Sequence, residues 1–283
     1  MNTYSKVVLI SHIPLPYHNI GSWSTLYENY ITKNKHQIDA IICPPLEIKK
    51  YSNIEYKLYS KPWYFKYKQK LLSNRFYPII DALKNYIKKN FDTKLIIQVI
   101  DNFGLVSFLN DFLVKKEIRN KVYIQFFFHG FLFNNKKTLV QNFFLQIDEL
   151  ILLTKCSYLN HLSMFHQLSK NVSILPNGVD TNHFNSKTRL NSQQKTIFLW
   201  CSQDRPKKGL HIILEAWNAV IENHDHIELW IVGTQKLHKG QGIRSFGRIP
   251  NHELPEIYKQ THVYLFPTLC QEGFPLTVTE ALL

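Results

Sequence analysis

Short, unbroken apolar runs recur along the chain, separated by longer segments with helical spacing. Residues 6–10 (KVVLI), 37–43 (QIDAIIC), 94–100 (KLIIQVI), 121–128 (KVYIQFFF) and 149–154 (ELILLT) predict strands. Helical patterns fall over 24–33, in one long stretch within 64–90, over 105–116 and over 157–169. Continuous rather than alternating hydrophobicity marks strands covered on both faces, hence a parallel sheet. Strand–helix alternation then predicts an α/β, doubly wound domain.

A second series follows Pro176. Residues 196–201 (TIFLWC), 226–233, 243–247 and 262–267 predict strands, and 208–222, 252–260 and 275–283 predict helices. In the first of these helices Leu210, Ile213, Leu214, Trp217 and Val220 or Ile221 recur at near-3.6 spacing. The stretch 177–194 is polar and turn-rich, as a linker is. The layout expected is an N-terminal domain over 1–175, a linker over 176–195 and a C-terminal domain over 196–283, with a crevice between two doubly wound units. The sequence ends at Ala281-Leu282-Leu283 inside a helical pattern with no cap. The expectation is therefore that the second domain is incomplete.

Composition narrows the class. Of 283 residues 45% are apolar and 19% charged, which excludes a disordered chain. The net charge of +13 favours an anionic partner, whether nucleic acid, a membrane surface or a phosphate-bearing substrate, without choosing among them. Cys43, Cys156, Cys201 and Cys270 are far apart and form no C-x-x-C, so reduced thiols are expected rather than disulfides or a zinc site. The first apolar run, Val7 to Ile10, is shorter than a secretory signal requires. Residues 122–133 are interrupted by Gln125, His129 and Gly130 and are too short to span a bilayer. A cytoplasmic protein is expected, with a peripheral position on the inner face of the cell membrane as an added candidate.

Three segments carry candidate chemistry. In 267–280 a strand ends at Phe266-Pro267, a loop follows, and a helix opens with Pro275 at its first position. The free N–H groups of Leu276 and Thr277 would then make an anion site, and Gly273 allows close backbone approach. Glu272 in the loop and Glu280 two turns into the helix suit a hydroxyl-rich ligand, although spacing alone serves a solvated loop and helix equally well. In 201–210, Arg205, Lys207 and Lys208 follow a strand at the sheet edge where ligands of open α/β sheets bind, a pattern suited to a diphosphate or simply to a basic surface turn. In 175–180, Asn177-Gly178 makes a tight turn at the expected domain boundary.

Together and in this order, these segments resemble the retaining nucleotide-sugar glycosyltransferases of family 4, which adopt the GT-B fold. The resemblance rests on Pro176 to Asp180 with Phe184, on Lys208-Gly209, on Phe246-Gly247-Arg248, and on Glu272, Gly273, Phe274, Pro275 and Glu280. It is fainter in the N-terminal half, where Gly21 stands at a family Gly-Gly position and His129 at a family histidine bordering the donor sugar. It implies a GT-B-like fold and transfer, with retention, from a nucleotide diphosphate sugar to a glycan or lipid-linked acceptor in surface polysaccharide or lipopolysaccharide-type synthesis. It further implies that Glu280 accepts from ribose hydroxyls, that Glu272 and the Gly273–Phe274 backbone hold the sugar, and that Lys208 neutralises the diphosphate, assisted by Leu276 and Thr277. No metal or cofactor is expected. The family places Arg where Gln203 stands, so Arg205 is expected to substitute. A non-catalytic, truncated nucleotide-sugar-binding relative is the alternative.

Residues 49–70 hold seven Lys and seven aromatics (Tyr51, Tyr56, Tyr59, Trp63, Tyr64, Phe65, Tyr67) with one acid, Glu55. An anionic membrane surface, single-stranded nucleic acid or plain solvent are the three partners this stretch could face. No nucleic-acid-binding signature accompanies it, so an anionic membrane surface is the candidate partner, with a solvated helix and loop as the alternative.

Overall fold

The computed structural model describes residues 6–15, 22–45, 51–60, 63–72, 75–90, 92–130, 142–185 and 195–283. The chain divides into two compact units, Met1–Tyr17 with Tyr30–Pro176 and His18–Asn29 with Asn177–Leu283.

The first unit is built on seven strands, β1 (Lys6–Ile10), β2 (Ala40–Cys43), β3 (Glu55–Leu58), β4 (Leu95–Ile100), β5 (Val122–Phe128), β6 (Glu149–Leu152) and β7 (Asn171–Ile174). They pair in the order β3-β2-β1-β4-β5-β6-β7, every pairing parallel. The chain runs outward from β1 to β3, then restarts on the other side of β1 with β4, so the topological switch point lies between β1 and β4. Helices α1 (Ser22–Asn34), α2 (Phe65–Leu72), α3 (Tyr77–Lys89), α4 (Phe103–Lys115) and α5 (Lys155–Phe165) fall between strands. Asn102 caps α4 by accepting from Leu105 N–H at 3.1 Å, and Thr154 caps α5 by accepting from Ser157 N–H at 3.0 Å.

Two departures from the sequence reading have simple causes. The long helix expected within 64–90 is two helices, because Pro78 cannot donate to a helix running into it and sits instead in the first turn of α3. The edge strands β3 and β7 were not expected. Their sequences, EYKL and NVSI, are short, polar and only half-covered, so they lack the continuous apolar run that marks a central strand. Strand β3 also changes the basic aromatic stretch, since Tyr51, Tyr56 and Tyr59 are buried there. The Tyr59 hydroxyl donates to Ser11 C=O at 3.1 Å, and Tyr51 shares a 2.9 Å hydrogen bond with Thr32. These three rings belong to the core.

A polar ladder crosses the first sheet. Tyr30 O–H donates to Gln98 Oε1 at 3.0 Å, Gln98 Nε2 to Gln125 Oε1 at 2.9 Å, and Gln125 Nε2 to Glu149 Oε2 at 2.8 Å. Register places Gln98 beside Gln125 and Gln125 beside Glu149. Gln125 is the middle rung, so Gln125→Ala strips partners from both neighbours. The expected cost is about 1–3 kcal/mol in chemical denaturation, the penalty for a covered polar group left unpaired; a change below about 0.5 kcal/mol would show that water replaces it fully.

The second unit holds β8 (Thr196–Cys201), β9 (Ile227–Val232), β10 (Ile243–Gly247) and β11 (Val263–Tyr264), paired in parallel in the order β10-β9-β8-β11. Its switch point lies between β8 and β11. Helix α6 (Leu210–Ile221) buries Leu210, Ile213, Trp217 and Ile221 against Trp200, Leu229 and Ile231 on one face of the sheet. Phe184, Leu199, Trp230, Val232 and Leu254 form a second cluster. Helices α7 (Leu254–Tyr258) and α8 (Leu276–Leu282) complete the unit.

Candidate active site

In the second unit two loops leave the C-terminal ends of β8 and β11, the adjacent strands that flank the switch point. The first passes through Gln203, Arg205 and a 3-10 turn, Pro206–Lys208, to Gly209; the second runs from Phe266 to Pro275. They are tied together by backbone. Leu269 N–H donates to Lys207 C=O at 2.8 Å. Gly209 lies at φ +74°, and a Cβ on it would stand 2.1 Å from the Pro267 carbonyl oxygen, so only glycine admits this approach. Trp200 Nε1–H donates to Lys208 C=O at 3.2 Å, fixing the turn from the core side.

This junction brings Lys208 and Glu272 into direct contact. Lys208 Nζ donates to Glu272 Oε1, with about a fifth of each side chain exposed. Thr268 O–H at 2.9 Å and the Cys270 thiol at 3.4 Å converge on the same oxygen. Burial works to raise the Glu272 pKa, but the donors and the Lys208 charge together outweigh it and hold it below its ordinary value.

Glu280, on α8, has a different environment. It is 4% exposed, and its two oxygens accept from Asn251 Nδ2 at 3.1 Å and Tyr258 O–H at 3.2 Å. Burial raises its pKa, opposed by these two hydrogen bonds and by His183. Asn251 and Tyr258 come from the 3-10 turn and helix after β10 and escaped the sequence reading. Their only sequence signal is position just after a strand end.

The two carboxylates therefore act oppositely on stability. Glu272 favours the fold when ionised, a contribution held above its ordinary pKa near 4.5 and lost as pH falls below it. Glu280 favours the fold when protonated, a contribution lost as pH rises above 4.5. In urea midpoints from pH 4 to 7, Glu280→Gln should gain on the wild type as pH rises, while Glu272→Gln should fall further behind. Parallel curves for both variants would refute the assignment.

The remaining expected residues are dispersed around this edge. Gln203, Arg205 and Arg248 are exposed, while Gly273, Phe274 and Thr277 are half-buried and Leu276 is buried. Gly247 ends β10 at φ +73° and its carbonyl accepts from Gly233 N–H at 2.7 Å. Pro275 is the cap of α8 in extended backbone rather than its first helical residue, so the helix opens at Leu276. Gly21 lies outside the described residues. Among the described residues no group of three or more His, Cys, Asp or Glu side chains is placed to hold a metal ion. All four cysteines are free thiols.

The first unit assembles a separate cluster at the ends of β4 and β5. Asp101, in left-handed backbone at φ +47°, accepts from His129 N–H at 2.8 Å through Oδ1. Its Oδ2 stands 3.3 Å from His129 Nδ1. His12, just after β1, feels the same carboxylate: packing around its ring lowers its pKa and the Asp101 charge raises it, while part of the side chain stays exposed. The sequence reading found His129 but not Asp101 or His12, although Asp101 directly follows an expected strand and His12 lies two residues past one.

Residues 182–283 match the family described as "Glycosyl transferases group 1". The phosphatidyl-myo-inositol mannosyltransferase of Mycobacterium tuberculosis (strain ATCC 25618 / H37Rv) is 28% identical over 119 residues, 38% of this chain and 32% of that protein. The match thus spans about a third of the length of the curated relative. The sucrose-phosphate synthase of Thermosynechococcus elongatus aligns over 98% of this chain and 78% of its own, at 15% identity and a TM-score of 0.68. The lipopolysaccharide outer core galactosyltransferase WaaB, in apo form, aligns over the same shares at 15% identity and 0.65. With parallel doubly wound sheets in both units, the chain has the fold of the GT-B glycosyltransferases, and its residues 182–283 match the group 1 glycosyltransferases in sequence.

Proposed function

We propose that the chain transfers a sugar, with retention, from a nucleotide diphosphate sugar to a glycan or lipid-linked acceptor in surface polysaccharide or lipopolysaccharide-type synthesis. The observation that carries the reading is the contact of Lys208 with Glu272 at the switch point of the second unit. Lys208 neutralises the diphosphate as the bond from the sugar C1 to phosphate oxygen breaks and the electron pair moves onto that oxygen. Glu272 and the Gly273–Phe274 backbone hold the sugar, assisted at the phosphate by Leu276 and Thr277. Glu280, oriented by Asn251 and Tyr258, accepts from the ribose. The acceptor hydroxyl bonds to C1 on the face the phosphate leaves, and its proton passes to the departing phosphate. Gln203, Gly247 and Arg248 line the donor side, Arg205 adds charge at the diphosphate, and His129, held by Asp101, borders the sugar. This mechanism assigns no role to a metal or to a protein nucleophile.

An anionic membrane surface remains the partner assigned to the exposed end of the basic stretch, where Trp63 is 96% exposed and Tyr67 75%. No described helix is long and apolar enough to cross a membrane.

The test is a binding and hydrolysis screen of this chain over UDP-, GDP- and ADP-sugars by ³¹P NMR. Nucleoside diphosphate release by the wild type, lost in Glu272→Gln, is expected. A chain that binds no nucleotide sugar of any base overturns the reading. Arg205→Ala should weaken donor saturation by about tenfold, the worth of one charge-assisted contact; unchanged kinetics would remove Arg205 from the site.

A further inference from the structure

A second charged site stands in the first unit, on α2 and α4. Lys66, Gln69, Lys70, Arg75 and Phe108 line an open cavity of about 600 Å³ between α2 and α4. Lys66 and Lys70 are one helical turn apart on α2, a like-charged pair that by itself disfavours the helix by a few tenths of a kcal/mol. Arg75 adds a third cation to the same cavity. Its Nη2 lies 3.4 Å from where a Cβ on Gly104 would be, so the guanidinium rests against the first turn of α4. That is the end of a 13-residue helix where the macrodipole is positive, the wrong end for a cation on its own.

Four other cations of this unit stand beside acids. Lys57 and Lys89 face Glu55, Lys68 faces Asp81, and Arg119 faces Asp148. Among the described residues no acidic side chain lines the cavity. Arg75 is held instead by stacking on the Phe76 ring at 4.7 Å, and Phe76 in turn packs on Phe108 at 5.6 Å. Three exposed cations, an amide and an aromatic ring thus line one open space, with no acid among the described residues and with the Arg75 guanidinium against the first turn of α4.

We propose that this cavity binds an organic phosphate. A phosphate supplies several acceptor oxygens to several donors at once and neutralises the lysine pair together with Arg75. The cavity is far larger than a bare phosphate, so the carbon part of the ligand lies against Phe108. The site is distinct from the donor edge of the second unit and does not depend on the proposed transfer reaction. The same chemistry is offered by a soluble phosphate ester and by a phospholipid headgroup.

The test uses the full chain with three probes: inorganic phosphate, glycerol 3-phosphate, and phosphatidylglycerol vesicles against phosphatidylcholine vesicles. Lys66→Gln/Lys70→Gln/Arg75→Gln is compared with Lys84→Gln/Lys88→Gln/Lys116→Gln, which removes equal charge from exposed positions elsewhere in the unit. Glycerol 3-phosphate or phosphatidylglycerol should bind the wild type more tightly than inorganic phosphate, and the cavity variant should lose at least about tenfold, the loss of one charge-assisted contact or more. The control variant should stay within about twofold, as exposed charges at a distance are screened. Binding of glycerol 3-phosphate identifies a soluble ester as the source; binding of phosphatidylglycerol vesicles alone identifies a lipid headgroup. Single Lys70→Gln, a surface helical change that leaves the fold intact, repeats the comparison should the triple variant misfold. Equal losses in both variants, or no binding of any probe, overturn the proposal.

Discussion

Lys208→Ala is expected to lower turnover by about 10²–10³ with donor saturation still attainable, by analogy with removal of one oxyanion donor. The effect follows from where the ammonium sits. It ends a turn fixed by Trp200 at one side and by the Lys207–Leu269 backbone bond at the other, so its position is set before any ligand arrives. On the proposed function, negative charge on the leaving phosphate grows only as the glycosidic bond breaks, and a preplaced cation stabilises that charge more than the ground state. Removal has a second consequence. Glu272 loses its counter-charge while Thr268 and Cys270 still converge on Oε1, so its pKa should rise toward or above its ordinary value. Lys208→Arg should not restore turnover, because a planar fork cannot occupy the place of a compact ammonium. Lys207, one residue earlier, is exposed, and its carbonyl binds the second loop. Pre-steady-state kinetics at saturating donor decide the matter; a loss under about threefold would separate Lys208 from the chemistry.

Gly209→Ala is expected to destabilise the second unit by on the order of 4 kcal/mol, a size reserved for changes with a specific steric cause. Two costs add. The backbone at φ +74° disfavours any side chain. The added methyl would stand 2.1 Å from the Pro267 carbonyl oxygen, an atom of the main chain that cannot rotate away. Relief requires the β8 and β11 loops to part, which stretches the Leu269 to Lys207 hydrogen bond and separates Lys208 from Glu272. The variant should therefore lose the pH signature of Glu272 along with its stability. Gly178, whose Cβ would meet nothing within 4 Å, is the matched control, and Gly178→Ala should change stability by less than about 0.5 kcal/mol. Urea denaturation of both variants, with fluorescence from Trp200 and Trp217 as the probe, measures the difference. Similar midpoints would show that the two loops do not need their present spacing.

Much of the site was readable from residue order. Lys208, Gly209 and Glu272 stood at strand-to-helix turns that the apolar runs had already located, and strand ends in a parallel sheet are where side chains converge. Glu280 was readable as a helical carboxylate but not as a buried one. Its partners Asn251 and Tyr258 lie 29 and 22 residues earlier, and no local pattern links them. Asp101 and His129 are likewise 28 residues apart, joined only because β4 and β5 are neighbours.

The sequence by itself determined the central strands of both sheets, most of the helices between them and the loops that carry Lys208 and Glu272. Burial on both faces demands continuous apolar runs, and such runs are written locally. The tertiary structure alone decided the edge strands β3 and β7, the burial of Tyr51, Tyr56 and Tyr59, the pairing of Asp101 with His129, and the gathering of Lys66, Lys70 and Arg75 around one cavity. Strand order and the packing of one helix on another bring together residues that the chain keeps apart. Hydrophobic periodicity records whether a residue is covered, not what covers it.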